Sequence, residues 1–189
     1  MVSRTPIDPP VPPAPKAKRT SRVRARSAEE VVVGIESTMG ESWLPTIYRD
    51  RILKLRTRSY AFPVAVKPKR KHSAPEIQHT LLGIELKVGR QRMLCPDLAT
   101  ARYLAVFARV GSAAVAIPYD ITRISHLADE LESSWHRMLL LSDSVAEGRG
   151  ESFATRVRSL LIGKVRDAIA RAGAGTRIPE FKQSTKHGR

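Results

Sequence analysis

Twice between residues 125 and 173 mostly apolar side chains recur at the spacing of a helix. Leu127, Leu131, Trp135, Met138 and Ser142 make the first stripe; Phe153, Val157, Leu160, Leu161, Val165 and Ile169 make the second. Residues three and four apart share a helix face, so the pattern predicts helices over 125–147 and 151–173, with both stripes in the core. The rest of the chain must supply what these stripes pack against.

Upstream, Ser27 with Glu30 three residues on forms a capping box, and Glu29 and Glu30 suit the positive end of a helix running through "VVVGIESTM" to Gly40. Ser42 reads as a second cap before "WLPTIYRDRILKL", with Pro45 tolerated in the first turn. "RTRSYAFPVAVK" reads as a strand in which Pro63 marks an edge or a bulge. "KPKRKH" is a basic loop, and "EIQHTLL" and "GIELKVG" read as two strands meeting near Gly83. "PDLATARYLAVFARVG" is a helix stopped by Gly111, and the apolar run "AAVAIPY" is a buried strand. This order predicts an α/β (α+β) domain. It has a mixed β-sheet of about four strands in an α-β-β-β-α-β succession, then the helical pair. The helix at 97–110 should cover one face of that sheet.

Three regions follow: a Pro-rich and basic arm at 1–26, expected to be disordered, one domain at 27–173, and a basic flexible tail at 174–189. The 189 residues, 42% hydrophobic, suffice for one domain with a core. Their charge is lopsided, 33 Lys and Arg against 18 Asp and Glu, a net +15. Such a balance implies a polyanionic partner, foremost nucleic acid. Two blocks concentrate it. The arm holds seven basic residues against Asp8, and residues 49–71 hold nine against Asp50, including Arg56, Arg58, Lys67, Lys69, Arg70 and Lys71. Arg90 and Arg92 lie just beyond.

Other classes are disfavoured. No apolar run approaches the length of a membrane span, no secretory signal opens the chain, and the prolines at 6, 9, 10, 12, 13 and 15 spoil an amphipathic transit helix. One cysteine, Cys95, permits no internal disulfide and suits a reducing compartment. A cytoplasmic location is expected, nucleoid-associated in a bacterium or archaeon. The five histidines show no zinc spacing, and there is no phosphate-binding loop, dinucleotide fingerprint or nucleophile elbow. At 5%, aromatic residues are too few for a single-strand binder built on a series of base-stacking platforms.

What remains is "APEIQHTLLGIELKVGR", residues 74–90. On a strand, Glu85 and Lys87 share one face while Ile84, Leu86 and Val88 share the other. A carboxylate can hold Mg²⁺ through oxygen, the ion can activate a water, and a nearby ammonium can offset charge developing on a phosphate. Glu76 is positioned to supply a second carboxylate, and Glu30 or Glu36 a third. With Pro75-Glu76 ahead of Glu85-Leu86-Lys87 in this order of elements, residues 28–118 resemble the PD-(D/E)xK nuclease superfamily, nearest to archaeal-type Holliday junction resolvases. The resemblance implies Glu76 and Glu85 as ligands of Mg²⁺ (or Mn²⁺), Lys87 assisting the attacking water, and Glu30 as a fourth member. It also implies a double-stranded or branched DNA substrate, and a homodimer. Glu76 stands where that family usually has Asp. The competing expectation is a non-catalytic nucleic-acid-binding or ribonucleoprotein scaffold protein, which would need the same basic residues.

Overall fold

The computed structural model describes residues 27–62 and 74–175. The arm at 1–26, the basic loop at 67–72 and all but the first two residues of the tail lie outside them. The class is α+β as expected, but the strands are arranged differently.

Helix α1 (Ala28–Met39) starts on its capping box: Glu30 N–H donates to Ser27 Oγ at 3.2 Å and Ser27 N–H to the Glu30 carboxylate at 2.8 Å. Ser42, expected to cap the next helix, does not. Gly40–Ser42 is a 3₁₀ turn, and Trp43 is the N-cap residue of α2 (Leu44–Ile47), with Pro45 in its first turn. A π-helical turn continues over Tyr48–Ile52. Ser42 is engaged elsewhere, its carbonyl accepting from Ser134 Oγ at 2.7 Å.

Five strands form two antiparallel sheets in place of one mixed sheet. β1 (Thr57–Ala61) pairs with β5 (Ala114–Pro118), and the bonds Phe62 N–H to Ala113 O and Tyr119 N–H to Arg56 O add a rung at each end. β2 (Glu76–Thr80), β3 (Gly83–Val88) and β4 (Gln91–Cys95) make a meander. The reason β5 takes no third strand is visible at its outer edge. Ala116 N–H donates to the Tyr48 hydroxyl at 2.9 Å, and the Tyr103 hydroxyl donates to Ala116 O at 2.6 Å. Two tyrosines thus satisfy the backbone groups that another strand would have used. Pro118, which has no N–H to donate, lies two residues on along the same edge.

The strand expected over 76–82 ends at Thr80, and Leu81 and Leu82 form the hairpin loop. Neither leucine adopts positive φ, and Gly83 takes that conformation with φ 124°. β4 was not expected from the sequence at all. It follows a two-residue loop, Gly89-Arg90, with Val88 opposite Gln91 and Gly89 at φ 61°.

The apolar face of the meander (Ile77, Ile84, Leu86, Val88, Met93, Cys95) packs on α3 (Leu98–Val110), as the sequence reading placed the 97–110 helix. Asp97 caps α3, accepting from Thr100 N–H at 2.7 Å, and Gly111 ends it with φ 80°. Nearly every α3 residue from Thr100 to Val110 is buried, which makes it the central helix. α4 (Ile121–Ala146) starts four residues before the expected 125, because Asp120 caps it through Thr122 N–H at 3.0 Å. α5 (Glu151–Ala172) follows. All five residues of the first stripe are buried, as are Val157, Leu161, Val165 and Ile169 of the second. Phe153 and Leu160 are partly buried against the core. No helix among the described residues is long and apolar enough to cross a membrane.

Candidate functional site

The meander fixes which charged residues meet. Glu76 lies opposite Lys87 and Gln78 opposite Glu85, while β4 sets Arg92 opposite Lys87 and Leu94 opposite Glu85. Paired residues, and residues two apart on a strand, share a face. One side of the sheet therefore carries Glu76, Gln78, Thr80, Glu85, Lys87 and Arg92, and the other is the apolar face on α3. Glu85 and Lys87 share a face as their spacing requires.

Two carboxylates on this side have different surroundings. Glu76 is exposed; its Oε2 takes an ion pair from Lys87 Nζ at 3.1 Å and a hydrogen bond from Gln78 Nε2 at 3.2 Å. Glu85 is only 9% exposed. Its Oε1 stands 3.4 Å from Thr80 Oγ1, while the buried Oε2 has no hydrogen bond and faces Arg92 Nη1 at 3.8 Å. A buried carboxylate oxygen without a hydrogen bond costs more than an exposed one, and a cation is what would satisfy it.

The third acid is not brought here. Glu30 is held in the capping box, Glu36 pairs with Lys164 and Glu29 with Arg156, so α1 spends two of these acids on α5. Among the described residues no group of three or more His, Cys, Asp or Glu is placed to hold a metal. The basic residues expected to bind nucleic acid divide. Arg56, just ahead of β1, and Arg58 on β1 are exposed, Arg90 is exposed in the Gly89-Arg90 loop, and Arg92 on β4 is tied to Glu85. Lys67, Lys69, Arg70 and Lys71 lie outside the described residues.

No known protein family, curated protein or solved structure matches the chain.

Sequence reasoning missed the partnership of Arg92 with Glu85, because it missed β4. The signal was present. A Gly-first two-residue loop between Val88 and Gln91 is the signature of a type II′ hairpin, and it would have placed Arg92 across from Lys87. The roles of Gln78 and Thr80 beside the acids carried no such signal.

Proposed function

We propose that this chain is a nucleic-acid-binding protein of the cytoplasm that works through contacts to the phosphate backbone. The distribution of charge carries this reading. Eleven carboxylates of the described residues have a basic partner within ion-pair distance. Arg56, Arg58 and Arg90 are exposed and have no carboxylate partner among the described residues. The described residues hold 18 Lys and Arg against 16 Asp and Glu, so most of the net +15 belongs to the arm, the basic loop and the tail, and Arg56, Arg58 and Arg90 add to it on the described surface. Phosphate contacts release counterions, so the logarithm of affinity should fall linearly with log salt, by a slope of about −0.9 per neutralised phosphate on duplex DNA. Fluorescence anisotropy against duplex, four-way junction and RNA across a salt series tests this. No binding at low salt would sink it.

A second reading is favoured by one observation, the buried Glu85 Oε2 that lacks a hydrogen bond beside Lys87. In it the protein is a Mg²⁺- or Mn²⁺-dependent endonuclease acting on double-stranded or branched DNA. Glu76 and Glu85, on one face of the meander, would hold an ion that takes one or two carboxylates and keeps several waters. When bound, the ion supplies an activated water and stabilises charge on the phosphate. Lys87, paired with Glu76 in the resting face, offsets phosphate charge, and Arg92 holds the Glu85 carboxylate in place. Cleavage of supercoiled plasmid and of a labelled junction, with Mg²⁺ and with EDTA, decides it. Metal-dependent cutting by the wild type, lost in Glu85→Gln and Lys87→Ala, is the expected result. Salt-sensitive binding without cutting by any form would leave the binding protein alone.

A further inference from the structure

The nine described aromatic residues are not treated alike. Trp43, Tyr48, Phe62, Tyr103, Phe107 and Trp135 are buried, and Tyr60 and Phe153 are partly buried. Tyr119 alone is exposed, at 45%. It is also held in place. Its N–H donates to Arg56 O at 3.1 Å, one rung past the last residue of β5. That pairing puts both side chains on one face, and the Arg56 guanidinium lies over the Tyr119 ring, 5.0 Å from its centre. Arg58, two residues further along β1, shares the face.

The neighbouring acid is already occupied. Asp120 accepts from Thr122 N–H and from the Thr122 hydroxyl and pairs with Arg123 at 3.5 Å. These bonds, chiefly that from the Thr122 side chain, hold its carboxyl below the usual range. Its charge serves the start of α4 and leaves Arg56 and Arg58 to meet an anion. Ile121, two residues on from Tyr119, is exposed as well.

An exposed ring beside two arginines that have no carboxylate partner among the described residues matches the two chemistries of a nucleotide, a flat base and a charged phosphate. Bases stack on aromatic side chains without regard to sequence, and arginine adds a cation–π contact and a phosphate contact. We infer that the Arg56–Tyr119 pair is a docking point for a single unpaired nucleotide, its base stacked on Tyr119 and its phosphates against Arg56 and Arg58. One ring supports one nucleotide, so the favoured substrate is nucleic acid with an unpaired end or junction, not a long single strand. This rests on the nucleic-acid-binding reading and specifies its substrate class.

The test compares a blunt duplex with the same duplex bearing an unpaired overhang, made in DNA and in RNA, with 2-aminopurine as a fluorescent base in the overhang. Wild type should bind the overhang duplex more tightly and quench the 2-aminopurine. Tyr119→Phe should keep both properties. Tyr119→Ala should lose the quenching and about ten-fold in affinity for the overhang, within the range that stacking supplies, a larger loss than on the blunt duplex, with an unchanged thermal melt as the control for folding. Equal losses on both duplexes, or no loss on either, overturn the inference while the binding reading stands. Wild type that binds neither duplex at low salt defeats the binding reading and this inference with it. An effect seen only with the RNA overhang or only with the DNA overhang supports the inference and identifies the sugar.

Discussion

The Tyr48 hydroxyl joins three parts of the chain. It accepts from Ala116 N–H of β5 and donates to Gly173 O just past α5, at 2.9 and 2.7 Å. Tyr48→Phe leaves the buried Ala116 N–H without a partner, which costs about 1–3 kcal/mol, while the Gly173 carbonyl, on an exposed residue, can turn to water. A loss of about 1–3 kcal/mol is expected, read as a lower urea midpoint with unchanged slope. Tyr103→Phe orphans only Ala116 O and should cost about 1–2 kcal/mol. Burial raises the phenol of Tyr48 above its ordinary value near 10 and that of Tyr103 well above it. A raised phenol keeps its proton in the folded state after the unfolded chain has lost it, so the unfolded state binds fewer protons and stability falls with pH. The stabilising contribution is full below about pH 10 and is lost as pH rises toward the folded values. Urea titrations from pH 8 to 11 should show this decline, and the double Phe variant should flatten it.

At the scale of elements, the helices were legible and the sheets only partly so. The capping box of α1, the Gly111 stop of α3 and both long stripes are written in residues at most a few positions apart, and all are present. β4 was obscured because Leu94, an apolar residue, sits on the polar face at 66% exposure, which breaks the alternation that reveals a strand. Its neighbour Met93 is buried against the core and accepts from the Tyr60 hydroxyl through Sδ at 3.3 Å, joining β4 to β1. Adjacent residues should therefore respond oppositely. Met93→Ala is expected to cost about 2–4 kcal/mol, and Leu94→Ala less than about 0.5 kcal/mol. Equal costs in thermal melts would mean that the register of β4 is wrong. The site was legible to the same degree: Glu85 and Lys87 on one face follow from strand period, whereas Arg92 depended on an unseen strand.

For the molecule as a whole, α5 is the element that closes the core. Val157, Leu161, Val165 and Ile169 are each at most 1% exposed, and the helix packs against α1, α4, the Tyr48–Ile52 turn and β5. A chain ending at residue 150 loses these contacts together with the Gly173 carbonyl that Tyr48 binds. It is expected to give no cooperative thermal transition by circular dichroism, and a sharp transition would show that residues 27–150 fold alone. What the amino-acid sequence determined by itself was local: helix and strand periods, caps, the α+β class and the excess of positive charge. These depend on spacings of two to four residues and on composition, which any stretch of chain carries with it. What only the tertiary structure decided was which edges and charges meet. Two tyrosines end the β1–β5 sheet at Ala116, Arg92 rather than a third acid faces Glu85, and Arg56 lies over Tyr119. Those partners are 7 to 68 positions apart along the chain; packing brings them together, and at Ala116 it does so by satisfying buried backbone groups.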